Sequence, residues 1–80
     1  MEHKIVLYDI HGNHTDDGHL IYTYCIDNYI TLYDDFAKSV GCRQEYIQKY
    51  DFGGYGYIGS NVIFWFKSEQ HYLAFKLKCN

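Results

Sequence analysis

Hydrophobic and polar positions alternate in blocks along the chain, and each block predicts an element. Lys4 to Ile10 is β-branched and apolar apart from Asp9 and predicts a strand. His11 to His19 is polar or glycine throughout, and its Gly12-Asn13 and Asp17-Gly18 pairs are turn chemistry, because glycine and asparagine tolerate positive φ. Leu20 to Ile26 is again β-branched and aromatic, so the first 26 residues predict a β-hairpin with a long exposed loop.

The period then changes. Asp27 has the chemistry of a helix N-cap. Behind it Tyr29, Ile30, Tyr33, Phe36, Ala37 and Val40 recur at helical spacing, while Thr31, Asp34, Asp35 and Lys38 fall on the opposite face. Gly41 stands where a left-handed C-cap is needed, which predicts a helix over residues 28–40. Arg43 to Tyr50 predicts a second short helix, with Tyr46, Ile47 and Tyr50 on one side. Asp51 to Ser60 alternates glycine with aromatic residues and predicts a loop leading into a bulged strand entry. Asn61 to Lys67 is the strongest strand: Val62, Phe64 and Phe66 point one way, Ile63 and Trp65 the other.

The last twelve residues fit two periods. Ser68 caps a helix with Glu69 in its first turn, whereas Leu73, Phe75, Leu77 and Cys79 alternate as in a strand. Together the blocks predict one α+β domain over residues 1–80. Its mainly antiparallel sheet joins the N-terminal hairpin to strand 61–67, with helix 28–40 on one face and a short C-terminal helix or strand.

Composition sharpens this picture. Eighty residues are too few for a two-domain enzyme, and 48% hydrophobic content is too high for a disordered tail. The longest apolar run, Val62 to Phe66, is far short of a membrane span, and the first residues, Met1-Glu2-His3-Lys4, do not resemble a secretory signal. Cys25, Cys42 and Cys79 form no C-x-x-C pair, which argues for free thiols in a reducing, cytoplasmic compartment. Ten Tyr, five Phe and one Trp exceed what so small a core hides, so several Tyr are expected at the surface as contact residues. Residues 1–60 carry four basic side chains against nine acidic ones, and residues 61–80 carry three against one. The acidic part would repel a phosphate backbone and attract a basic partner.

The segment Phe64-Trp65-Phe66-Lys67-Ser68-Glu69-Gln70-His71-Tyr72-Leu73-Ala74-Phe75-Lys76-Leu77-Lys78-Cys79 resembles a pattern in small, host-directed accessory proteins of tailed bacteriophages. There an aromatic strand and a short acidic turn precede Asp-Ala-x-x-Phe-Lys-Leu-x-Trp. Phe75-Lys76-Leu77 matches the core of that pattern, while His71-Tyr72 replaces Asp-Ala and Cys79 replaces Trp. The resemblance covers about sixteen of the eighty residues. It implies a helical turn after Ser68 and a phage-encoded protein that occupies a host protein: a defence enzyme, nuclease, toxin or polymerase.

Candidate chemistry is sparse. His11, His14, Asp16, Asp17 and His19 lie within nine residues and include ligand types for zinc, nickel or manganese. With no rigid element to set their geometry, the plainer reading is a polar hairpin tip, and a metal site at His11, His14 and His19 is the alternative. Gly54-Tyr55-Gly56-Tyr57-Ile58-Gly59 matches G-x-G-x-x-G, but a helix is predicted before it and a strand after it, the reverse of the nucleotide-binding context. The better functional reading is an aromatic contact surface of Phe52, Tyr55 and Tyr57, bordered by Asp51 and joined by Asp34 and Asp35 on the helix. A second alternative is nucleic-acid binding, with bases stacked on Tyr55, Tyr57 and Trp65 beside Lys67, Lys76 and Lys78. No serine or cysteine has a predictable base beside it, so the sequence implies no reaction and no cofactor. The expected function is non-enzymatic binding of a host protein. An exposed edge on so small a sheet would also admit a second copy of the chain.

Overall fold

The computed structural model describes residues 1–53 and 58–79. The order of elements is β1 (His3–Val6), α1 (Asp16–Asp27), α2 (Tyr33–Val40), β2 (Arg43–Asp51), β3 (Ile58–Phe66) and α3 (Glu69–Lys78). The fold is α+β with an antiparallel three-stranded sheet in the order β1-β3-β2. The strand made of the most apolar sequence is therefore central, as burial of both its faces requires. Ile5 faces Phe64 across one ladder, and Gln44 faces the same residue across the other.

The pleat assigns the faces. Ile5, Val62, Phe64 and Phe66 join Leu7 in the core with Ile21 and Cys25 of α1, Phe36 of α2 and Tyr72 and Phe75 of α3. Phe36 is the hub: Phe64 and Phe75 each meet it edge-on at 5.4 Å between ring centroids, and Tyr24 does so at 5.8 Å. All five Phe are buried, which is where much of the aromatic surplus goes. On the other face Lys4, Trp65 and Arg43 form one row across the strands. Lys4 Nζ lies 5.6 Å, and the Arg43 guanidinium carbon 5.1 Å, from the centre of the Trp65 ring.

The predicted N-terminal hairpin does not form. Its second strand, Leu20 to Ile26, is part of α1. Thr15 starts this helix, its hydroxyl accepting from the Gly18 N–H at 2.9 Å and donating to the Val6 carbonyl at 2.6 Å. Asp16 and Asp17 occupy the first turn, where carboxylates suit the helix dipole. Local β propensity loses here to tertiary packing, because only a helix turns Ile21 and Cys25 together into the core. Gly18 allows the approach: a Cβ there would lie 2.2 Å from the Leu7 carbonyl oxygen.

Two further boundaries are corrected. Asp27 ends α1 instead of capping a helix over residues 28–40, and only Tyr33–Val40 is helical in that stretch. Its C-terminal end is as expected, with Gly41 at φ 75° and the Cys42 N–H returning to the Ala37 carbonyl at 2.9 Å. The short helix expected at Arg43 to Tyr50 is instead β2, and the sheet gains its third strand there. After β3, the two-period C-terminus resolves as helix: the Ser68 hydroxyl accepts from the His71 N–H at 3.1 Å, and Tyr72 and Phe75 turn inward. His71 then ties α3 to α2, with Nε2 at 2.8 Å from the Val40 carbonyl and Nδ1 accepting from the Lys67 N–H.

Candidate functional site

The junction between α1 and α2 closes the helix with a strained residue whose side chain the fold does not use. Asn28 closes α1, its side-chain amide donating to the Tyr24 carbonyl at 2.8 Å. The next two residues return to the helix, the Tyr29 N–H to Ile26 and the Ile30 N–H to Cys25. This pair of bonds needs a left-handed residue at its centre, a position glycine usually fills. Tyr29 fills it with φ 57°, at a cost of about 1 kcal/mol. Its ring packs on little of its own domain, since it is 93% exposed.

Tyr29 is not isolated. Tyr22 and Ile26 of α1 and Leu32 before α2 are also exposed, Leu32 at 61%. A small cleft of about 130 Å³ opens between Tyr22, Ile26, Leu32 and Tyr33 over Cys25 and Ile30. Leu32 and Tyr33 are shared with a larger groove of about 470 Å³ between the start of α2 and the β2–β3 ribbon. Tyr8, Tyr33 and Tyr46 line that groove, and among the described residues Asp34 is the one charged member of its lining.

The groove walls are held from behind. Asn61 is fully buried, and its side chain bonds the Tyr8 backbone twice: Oδ1 accepts from the N–H at 3.0 Å and Nδ2 donates to the carbonyl at 3.1 Å. Tyr33 meets Phe64 edge-on at 5.6 Å. Burial, with Tyr8, Cys25 and Tyr22 nearby, pushes the Tyr33 phenol up to about 12, so it stays a neutral hydroxyl. The Tyr46 hydroxyl donates to Ser60 Oγ at 3.2 Å. Asp34 meets Lys38 one turn along the helix at 3.2 Å, with both side chains exposed. Such a pair is worth only a few tenths of a kcal/mol.

The residues singled out from sequence are dispersed. Tyr55 and Tyr57 lie outside the described residues. Phe52 is buried at 7% exposure and meets Tyr50 edge-on, which corrects its reading as a contact residue. Asp51 is exposed, its carboxylate accepting from the Gly53 N–H at 2.8 Å. Asp34 and Asp35 are exposed in the first turn of α2, and Asp34 borders the groove. The histidine loop is split: His14 pairs with Tyr8 in an isolated bridge and His19 is helical. The His14 ring stacks between Tyr8 at 5.1 Å and Tyr22 at 4.7 Å. Its Nε2 is buried with no hydrogen-bond partner among the described residues. No three His, Cys, Asp or Glu side chains among the described residues converge to hold a metal ion, so His11, His14 and His19 do not form the alternative metal site.

The cations that lie over the Trp65 ring are not the lysines of the nucleic-acid reading. Lys4 and Arg43 flank it instead, and Lys76 lies over Tyr72. Acid offsets that charge, because Glu45 accepts from Trp65 Nε1 at 3.1 Å and Glu2 pairs with Arg43 at 3.0 Å. Burial pushes the Cys25 and Cys42 thiols up to about 11 and also raises Cys79, so none is an activated thiolate.

Sequence reasoning missed Tyr8, Tyr22, Ile26, Tyr29, Leu32 and Tyr46. One signal was legible: Leu32 is a large aliphatic residue off the apolar stripe of the predicted helix. The rest is hidden, because the sequence pattern places Tyr29 on the apolar stripe of a helix, and Tyr22 and Ile26 in a strand, whereas all three are exposed. No protein family, curated protein or solved structure matches the chain. Among the described residues, no helix is long and apolar enough to cross a membrane.

Proposed function

We propose that this chain is a non-enzymatic protein-binding module that acts by occupying a partner through the α1–α2 junction and the adjoining tyrosine groove. Tyr29 carries the reading. The left-handed backbone closes α1, which glycine would do without strain, while the tyrosine ring stays nearly fully exposed and packs on almost nothing, the pattern of a side chain kept for contact. Tyr22, Ile26 and Leu32 extend it into an apolar patch with acidic residues at its border, the composition of a docking surface with a polar rim. The raised thiols support a role without nucleophilic chemistry.

The C-terminal resemblance supports a phage-encoded inhibitor or modulator of a host protein, working in the host cytoplasm by steric or charge-complementary occupation. The test is capture from a bacterial host lysate on the immobilised chain, followed by mass spectrometry. A specific partner should be retained by the wild type and lost on Leu32→Glu and Tyr29→Ala, with circular dichroism unchanged. If both variants keep the same partner, this surface is not the docking site. A Tyr55→Ala, Tyr57→Ala double variant in the same capture reports on the glycine-tyrosine segment separately.

A further inference from the structure

We infer that the groove between α2 and the β2–β3 ribbon is a receptor for an arginine side chain carried on an apolar segment of the partner protein. The inference rests on the docking reading and adds the chemistry of what docks.

Three features select that ligand. Tyr8, Tyr33 and Tyr46 line the groove, and aromatic rings attract a cation through their quadrupole. Among the described residues the one charge in the lining is the Asp34 carboxylate, which a planar guanidinium meets with two parallel hydrogen bonds. Leu32 and Val62 supply apolar surface for the methylene stem of such a side chain and for its neighbours. An anionic ligand would meet Asp34, with Asp35 beside it, and the cation nearest to hand, Lys38, is already paired with Asp34.

Size agrees with a segment in preference to a free small cation. About 470 Å³ holds more than a guanidinium, and the smaller cleft at Tyr22 and Ile26 shares Leu32 and Tyr33 with the groove. The internal competitor is Lys38, whose exposed pair with Asp34 is weak enough for an incoming guanidinium to share or displace.

The test is an NMR titration of the intact chain, read at the tyrosine ring signals. The probes are a capped Gly-Leu-Arg-Leu-Gly peptide, its counterpart with glutamate in place of arginine, and a short oligouridine. The arginine peptide should shift Tyr8, Tyr33 and Tyr46 saturably, and the other two probes should not. Asp34→Asn should weaken the arginine peptide about fivefold, and Lys38→Ala should tighten it by a smaller factor. Equal binding of the glutamate peptide, preference for the oligouridine, no saturable shift with arginine, or an unchanged affinity in Asp34→Asn would each overturn the inference. The two readings separate cleanly. If arginine selectivity fails while Leu32→Glu still abolishes lysate capture, the docking surface stands and its cation site does not. If Leu32→Glu keeps the captured partner, the docking reading falls whatever the peptides do.

Discussion

Asn61 holds Tyr8 by both ends of its amide, so that a side chain of β3 replaces the backbone rung by which β1 would otherwise continue. Asn61 Oδ1 also accepts from the Val62 N–H at 2.8 Å. The residue is polar and fully buried, and it is satisfied only in this arrangement. Asn61→Leu keeps the volume and removes every partner, leaving the Tyr8 N–H and carbonyl unpaired beside the groove. The expected loss is about 3 kcal/mol in urea denaturation, with the Tyr8 ring signals shifted even in the folded state.

Gly18 gives a contest of signs. Alanine is the better helix former by about 1 kcal/mol, which favours Gly18→Ala in the first turn of α1. Yet the new Cβ would sit 2.2 Å from the Leu7 carbonyl oxygen and 2.9 Å from Thr15 Oγ1. Neither can withdraw freely, because that oxygen accepts from the Thr15 N–H and the hydroxyl donates to Val6. Overpacking against backbone costs about 1–3 kcal/mol, so the clash wins and the thermal midpoint should fall. An unchanged or raised midpoint would show that α1 lifts off β1 at little cost.

The same two elements show what the sequence could disclose. The central strand, the Ser68 cap and the Gly41 end of α2 were legible, because each rests on local chemistry or strict alternation. α1 was not, since Leu20 to Ile26 has strand propensity and its helical registration depends on packing against β1. β2 was misread for another reason. An extra residue between Ile47 and Tyr50, opposite Asn61 and Gly59, is a bulge. It places the more buried positions Gln44, Ile47 and Tyr50 three residues apart, a spacing that imitates a helix turn. The proposed docking surface is hidden for the same reasons, because Tyr22, Ile26, Tyr29 and Tyr46 lie where the expected elements and the real ones differ.

Alkaline pH should weaken the fold before it changes the binding surface. Burial raises Cys25 and Cys42 from 9.0 to about 11, and Tyr33 from 10.0 to about 12. Each is an acid that the folded chain keeps protonated longer than the unfolded chain does. Unfolding between those values releases protons, so rising pH favours it. The stability these groups contribute is complete below pH 9.0 and is lost as pH climbs through about 11 for the thiols, with Tyr33 following. Urea midpoints should be level from about pH 7 to 8 and fall by about pH 10 to 11, less steeply in Cys25→Ala. A flat profile over that range would mean the thiols are no more buried than in the unfolded chain.

Tyr29 separates stability from function most directly. Tyr29→Gly relieves the left-handed strain and removes a ring that covers almost nothing, at the cost of extra freedom in the unfolded chain. The first effect is about 1 kcal/mol and the second about half of that, so the variant should be slightly more stable than the wild type. Tyr29→Ala keeps the strain and loses the ring, so its stability should match the wild type within about 0.5 kcal/mol. Both should lose partner capture equally if the ring is the contact. A glycine variant that is more stable and still captures the partner would leave the exposed ring without a role. A glycine variant that is less stable would mean the ring packs on its own domain in solution.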